Sequence, residues 1–199
     1  MKIVLVGATG TIGTKVFQNL SERHEVIPVS LRSTEIRADI TSKESIIEMF
    51  RQVGPFDALI SATGNGEFAP LDEITEEQFY TGIRSKMMGQ INLALLAQKY
   101  INENGSITLT SGILADDPIR GGVSLSVVNS AINAFAMAAA VELKRGIRIN
   151  AISPGIVENS VSAIGHFFPG HNPVPMDRVV NAYLKSVEGV VTGQVIRVV

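Results

Sequence analysis

The sequence predicts an α/β fold: a doubly wound parallel sheet with helices on both faces, in a single domain over residues 1–199. Three observations predict it. Six short apolar runs, "KIVLVG", "HEVIPVS", "FDALISA", "GSITLTS", "IRINAIS" and "GQVIRVV", scarcely alternate with polar residues. Strands of that kind are buried on both faces, as in parallel sheets. Segments of helical spacing lie between the runs, and that alternation argues for βαβ units. Finally, the glycine-rich stretch "GATGTIG" stands directly after the first run, where a strand would hand over to a helix.

The elements follow in order. "KIVLVG" leads into a helix from Thr11 to Leu20. "HEVIPVS" is the second strand, and "STEIRAD" is a weak edge strand, polar enough to face solvent on one side. Lys43 to Gln52 has helical spacing, with Thr41 and Glu44 at capping-box distance and Gly54-Pro55 as its stop. "FDALISA" precedes a long helical segment, Thr75 to Asn102. Thr75 and Gln78 have the capping-box spacing at its start, and Asn104-Gly105 stops it. "GSITLTS", a helix over Val123 to Lys144, "IRINAIS", a helix over Met176 to Ser186 and "GQVIRVV" complete the chain. In such a sheet ligands lie beyond the carboxyl ends of the strands. Residues Gly7 to Gly13, Ser30 to Ser33, Ser61 to Gly66, and those from Ser111 and Ser153 onward are therefore the site candidates.

Composition excludes several function classes. A hydrophobic content of 45% with 18% charged residues is that of a globular protein. The net charge of -2 and the lack of any basic run give no case for nucleic acid or an anionic membrane as partner. With no cysteine, disulfides, zinc ribbons and thiol catalysis are excluded, and a reducing compartment is expected. No residues have a metal-ligand spacing. Gly7 and Thr9 interrupt the first apolar run too early for a secretory signal, and "AINAFAMAAAV" is shorter than a membrane span. The expectation is a soluble cytoplasmic protein.

In "GATGTIG", Gly7, Gly10 and Gly13 permit a tight turn and let the backbone approach a pyrophosphate. Thr9, Thr11 and Ile12 complete the loop, and the helix N-terminus supplies amide donors. The spacing is one residue off the G-x-G-x-x-G fingerprint; the alternative is a glycine-rich turn without a ligand. An acid at the end of the second strand would bind the ribose 2′-hydroxyl of NAD. Here "VSLRS" puts Arg32 between Ser30 and Ser33, which suits a 2′-phosphate and favours NADP over NAD. The alternatives are a solvated surface arginine and a contribution from nearby Glu35.

With "GATGTIG", "SATG", "TLTSG", "NSAINAFAMAAAVEL" and "RINAISPG" in order, the chain resembles the short-chain dehydrogenase/reductase family over essentially its whole length. The resemblance implies a Rossmann-type sheet, a dinucleotide across its carboxyl edge, and hydride transfer to or from a carbonyl or alcohol carbon. It matches Gly7, Gly10 and Gly13 to the cofactor glycines and Asp39-Ile40 to a pair that contacts adenine. Ser61, Ala62, Thr63 and Gly64 take the place of the family's Asn-Asn-Ala-Gly. Pro154, Gly155, Ile156 and Val157 resemble the segment that reaches the nicotinamide, and Ser111 matches the catalytic serine. Residues 156–175 correspond to a short substrate lid. The resemblance also implies a homodimer or homotetramer, which the small apolar residues nearly all round the "AINAFAMAAAVEL" helix suit.

The pattern breaks at the chemistry. The family's Tyr and Lys, four residues apart, fall on Leu125 and Asn129, and its fourth-helix Asn falls on Lys86. Lys86 buried near the nicotinamide would have a lowered pKa and could donate a proton; otherwise it is a structural lysine bonding carbonyls. Arg120 could polarise a carbonyl or bind a carboxylate, but a salt bridge to Asp116 or Asp117 is the favoured reading. Ser124 and Ser126 read as helix-start caps. His166, Phe167, Phe168 and His171 could line an apolar pocket, with the histidines as surface groups the plainer reading. Three readings remain: an atypical NADP-dependent reductase using Ser111 and Lys86, a non-catalytic NADP-binding sensor or regulatory protein, and an oligomeric scaffold without nucleotide affinity.

Overall fold

A computed structural model of the chain describes residues 1–32 and 34–199. The predicted Ser33 lies outside the described residues. Among them, seven strands form one sheet in which every pairing is parallel. They are β1 (Lys2–Val6), β2 (Glu25–Ser30), β3 (Ile36–Arg37), β4 (Phe56–Ser61), β5 (Ile101–Thr110), β6 (Arg148–Pro154) and β7 (Val195–Val198). The spatial order is β3-β2-β1-β4-β5-β6-β7. The chain therefore winds outward from β1 to β3, then returns to β4 on the other side of β1. That reversal is the switch point where α/β sheets open a crevice. The "STEIRAD" strand is present at the edge but shrinks to two residues.

The strands alternate sides, and both sides are dry. Val4, Val6, Leu59, Ile107, Leu109, Ile149 and Ala151 face one cluster with Met49, Phe50, Leu93 and Ile132. Ile3, Leu5, Ala58, Ile60 and Ile152 face the other, with Val16, Leu20, Val179 and Tyr183. This two-sided burial is why the runs read as continuous apolar stretches. The first face is covered by α2 (Lys43–Val53), α4 (Gln90–Ala97) and α5 (Val123–Ala140), the second by α1 (Thr11–Leu20) and α7 (Met176–Glu188). At 18 residues α5 has the length and apolarity of a membrane span, longer than its "AINAFAMAAAV" stretch alone. Here Val128, Ile132 and Ala136 on one side of it are fully buried in the protein.

Several local expectations need correction. The single helix expected over Thr75–Asn102 is three segments: α3 (Glu76–Gly82), a π-helical turn (Ile83–Gly89) and α4. It stops at Ala97, and Asn102 and Asn104-Gly105 lie inside β5. Thr75 and Gln78 do form a reciprocal capping box. The box expected at Thr41 does not form: Ser42 caps α2 by accepting from the Ser45 amide, while Thr41 bonds the Asp39 carboxylate. The α5 N-cap is Gly122, without a side-chain bond, and the hydroxyls of Ser124 and Ser126 have no partner among the described residues.

Candidate active site

The glycine loop is built by close approach. Gly7 has φ +91°, and a Cβ there would overlap the Ala62 carbonyl, so the loop lies directly on the end of β4. A Cβ on Gly13 would overlap the Gly7 carbonyl, so α1 rises straight off the loop. The N-cap of α1, Gly10, offers no side-chain cap, and its first turn carries no acid. The first-turn amides and the positive end of the helix thus face the crevice without an internal anion. A cradle that only glycine fits, with uncapped amides above it, suits the pyrophosphate of a dinucleotide.

The cleft beside this loop measures about 590 Å³. Of the residues expected to bind cofactor, Gly7, Thr9, Gly10, Ser30, Asp39, Ile40, Ala62, Thr63 and Gly64 line it. Thr11, Ile12 and Gly13 belong instead to the first turn of α1. Ser61 is buried beneath the cleft, its carbonyl accepting from Thr110 Oγ1 at 2.5 Å. Arg32 is exposed and outside the lining. The amide of Ser30 donates to Thr34 Oγ1 at 2.8 Å, and Thr34 Oγ1 donates onward to the Ile36 carbonyl at 2.6 Å. Thr34 thereby shapes the turn that carries Arg32. The Asp39 carboxylate accepts from the Thr41 amide (2.9 Å) and hydroxyl (2.6 Å), so its charge is held inside its own turn.

Beside Gly64, on the edge of the cleft, the structure brings Ser111 and Lys86 together, although neither lines the cleft itself. Lys86 sits in the π-helical turn, and its Nζ donates to the Ser111 carbonyl at 3.1 Å. Gly64, at φ +120°, passes so close that a Cβ would lie 2.6 Å from Lys86 Cα. Desolvation of this part-buried side chain pushes the ammonium down from 10.5 to about 8. Ser111 is 3% exposed. Its amide (2.8 Å) and hydroxyl (3.3 Å) both donate to the Ile152 carbonyl, which pins it to β6.

Gln90 was not anticipated, yet it organises this region. Its Oε1 accepts from the Thr110 amide at 2.8 Å. Its Nε2 donates to the carbonyls of Thr110 (2.8 Å) and Lys86 (3.1 Å). Gln90 follows directly on the π-helical turn, and its carboxamide ties the Lys86 carbonyl of that turn to Thr110 on β5. The sign in the sequence was a pair of carboxamides, Gln90 and Asn92, in the otherwise apolar stretch "GQINLALLA". Behind it, the Tyr183 hydroxyl lies 2.6 Å from Thr110 Oγ1. Tyr183 is fully buried and its pKa is raised by desolvation, so it is a strut rather than a proton donor. Asn65, within the expected Ser61 to Gly66 stretch, also lines the cleft, and Thr81, Arg84 and Ser85 line it without having been foreseen; the Asn65 amide donates to Ser85 Oγ at 3.0 Å.

Leu125 and Asn129 stand on the α5 face toward this region. Leu125 belongs to an apolar cluster with Ile113, Leu114, Val128, Ile156 and Phe168, and a Cβ on Gly66 would overlap it. Asn129 has its Nδ2 3.0 Å from where a Cβ on Gly112 would sit, and its buried Oδ1 has no partner among the described residues. Pro154 to Val157 do not line the cleft. Gly155 donates to the Val198 carbonyl at 2.9 Å, and Ile156 and Val157 are buried. Val157 bridges Val174. The segment expected to form a lid, 156–175, is a run of short helical turns, including α6 (Val161–Ile164). His166, Phe167 and His171 line a cavity, with His166 exposed as the plainer reading had it, whereas Phe168 is buried in the cluster below. The favoured pairing of Arg120 with Asp116 or Asp117 is not formed: Asp116 binds Arg197, and Asp117 faces His171.

Comparisons with known proteins bear on the family and the fold. A family model described as enoyl-(acyl carrier protein) reductase matches residues 4–186. Among solved structures, the protein lin1944 from Listeria innocua superposes with a TM-score of 0.98 at 46% identity, each chain fully covered. A small-chain dehydrogenase in complex with NADPH superposes at 0.88 with 28% identity, over 100% of this chain and 96% of that one. Among curated proteins, an uncharacterized oxidoreductase of Methylorubrum extorquens is 26% identical over 77% of this chain and 72% of its own length. A hydroxynaphthalene reductase-like protein of Metarhizium brunneum is 27% identical over 78% of this chain, which spans only 61% of that relative.

Proposed function

Because the chain belongs to the short-chain dehydrogenase/reductase family, we propose that it is an atypical NADP-dependent oxidoreductase acting on a small carbonyl or alcohol substrate. The observation that carries this reading is the Lys86 ammonium, held at the Ser111 carbonyl next to the cleft residue Gly64. Bound nicotinamide supplies the hydride. The chain's own residues orient and handle the proton. The loop from Gly7 to Gly13 grips the pyrophosphate, and Arg32, exposed at the end of β2, pairs with a 2′-phosphate. The NADPH-bound relative supports the choice of NADP over NAD. Lys86 Nζ donates the proton to the substrate oxygen, the role that Leu125 cannot perform, and Ser111 assists at the same carbonyl.

A second reading is a non-catalytic NADP-binding regulator. It is favoured by the apolar cluster around Leu125, which occupies the place the family reserves for its tyrosine. Titration with NADPH and NADH, followed by carbonyl-dependent NADPH oxidation by the wild type and Lys86→Met, tests both. Saturable NADPH binding with turnover lost in the variant supports the enzyme. Binding without turnover on any carbonyl supports the regulator, and no nucleotide binding sinks both.

For assembly we favour a homodimer or homotetramer built on α4 and α5. Leu95, Val127, Met137 and Val141 are exposed there, beside a groove of about 260 Å³ that Phe135 and Leu143 help to line. Light scattering that gives a monomer mass would overturn this.

A further inference from the structure

Arg120 is a cation with no paired acid: Asp116 and Asp117 are engaged elsewhere, and Asp72, which lines a smaller pocket with it, makes no ion pair to it among the described residues. Asp116 takes a bidentate bond from Arg197, at 2.8 Å from Nε and 2.9 Å from the second guanidinium nitrogen. Asp117 lies 3.7 Å from His171 Nε2. Among the described residues Arg120 has neither an ion pair nor a hydrogen bond. It precedes Gly121 and Gly122, where α5 begins without a side-chain cap or a first-turn acid, so the positive helix end adds to its field.

Arg120 lines a cavity of about 610 Å³ between the lid and the loop after β4. Phe68 and Phe167 line it too, their rings stacked at 4.5 Å and inclined by 9°. Phe68, Ile119 and Phe167 pack against the cluster that contains Leu125, so the cavity lies over the α5 face that looks toward the reacting end. Asp117 shares the lining, and His171, when protonated, offsets it. An unpaired guanidinium beside a paired aromatic surface is a match for a planar anion: the fork geometry of arginine fits a carboxylate bidentately, and the rings take an unsaturated body.

We infer that this cavity is the recognition site for a small, planar, unsaturated compound bearing a carboxylate, which Arg120 binds while Phe68 and Phe167 hold its body. The inference deepens the oxidoreductase reading and rests on it for the reacting carbonyl, but the site itself can be tested by binding alone.

Calorimetric titration with benzoate and with neutral benzamide, using the wild type and Arg120→Gln, decides it. The wild type should bind benzoate at least about tenfold more tightly than benzamide, and Arg120→Gln should remove that preference. Arg120 is exposed and bonds nothing, so the variant's thermal midpoint should match the wild type and certify its fold. Phe68→Ala should weaken both ligands alike. Equal binding of the two ligands by the wild type, undiminished benzoate affinity in Arg120→Gln, or no benzoate binding with or without NADPH would each overturn the site. NADPH titration of the same samples separates the two claims. Arg120-dependent benzoate binding in a protein without nucleotide affinity would support this site while sinking the oxidoreductase reading.

Discussion

Lys86 Nζ donates a 3.1 Å hydrogen bond to the main-chain carbonyl of Ser111, which ties the π-helical turn to the end of β5. Desolvation brings the ammonium down to about 8, close to the pH at which an acid is most useful. Carbonyl reduction consumes a proton, so the charged form is the active one. The rate should therefore fall as pH rises through about 8. In Lys86→Met that inflexion should vanish and kcat should drop by about 10²–10⁴, with NADPH affinity little changed. A pH–rate profile from pH 6 to 10 at saturating NADPH checks both; an unchanged inflexion in the variant would refute the role.

The same lysine predicts a stability signature that needs no substrate. Folded, it releases its proton near 8; unfolded, near the ordinary 10.5. Between those values the unfolded chain binds more protons, so folding stability gains from rising pH. Below pH 8 the burial penalty is present in full, and it is relieved across the window up to 10.5. The stability of wild type relative to Lys86→Met should thus improve between pH 8 and 10. Urea midpoints of both proteins at pH 7, 8.5 and 10 measure it, and a constant difference would contradict the burial of this amine.

What could be read from the sequence was whatever depends on neighbours along the chain. The apolar runs of β1 and β4 and the glycines at 7, 10 and 13 act over a few residues, and the order of motifs exposed the Lys86 substitution. What could not be read depends on partners far away. Arg120 loses Asp116 to Arg197, 81 positions along the chain, and spacing cannot show that contest. Apolar periodicity marks a helix over Ile83–Gly89 but not its i to i+5 bonding, nor the tie that Gln90 makes to Thr110. Ser124 and Ser126 have the chemistry of caps, yet Gly122 takes the N-cap position, because cap choice depends on how the loop enters the helix.

Gln90→Leu should uncouple Lys86 from Ser111. The leucine leaves the buried amide and carbonyl of Thr110 without the carboxamide that satisfies them. That should cost on the order of 2–4 kcal/mol of folding stability, read from urea denaturation at pH 7. The Lys86 carbonyl also loses its bond, so kcat should fall while NADPH affinity holds, since Gln90 does not line the cleft. A fall in NADPH affinity with kcat intact would show that Gln90 supports the cofactor cleft instead.

Gly13→Ala sets helix propensity against packing. Within a helix, alanine is favoured over glycine by about 1 kcal/mol, so a merely convenient glycine would leave the variant more stable. In this fold the added methyl would overlap the Gly7 carbonyl, and both atoms sit on backbone that no side-chain rotation can relieve. α1 must tilt off the loop, which should cost about 1–3 kcal/mol net. Its first-turn amides would move away from the crevice together. NADPH affinity should then drop at least about tenfold, because charge-assisted bonds to phosphate depend on that alignment. Denaturation and NADPH fluorescence titration of the one variant give both readings. A more stable Gly13→Ala that binds NADPH normally would show that α1 does not press on the loop, and the phosphate cradle would have to be placed elsewhere.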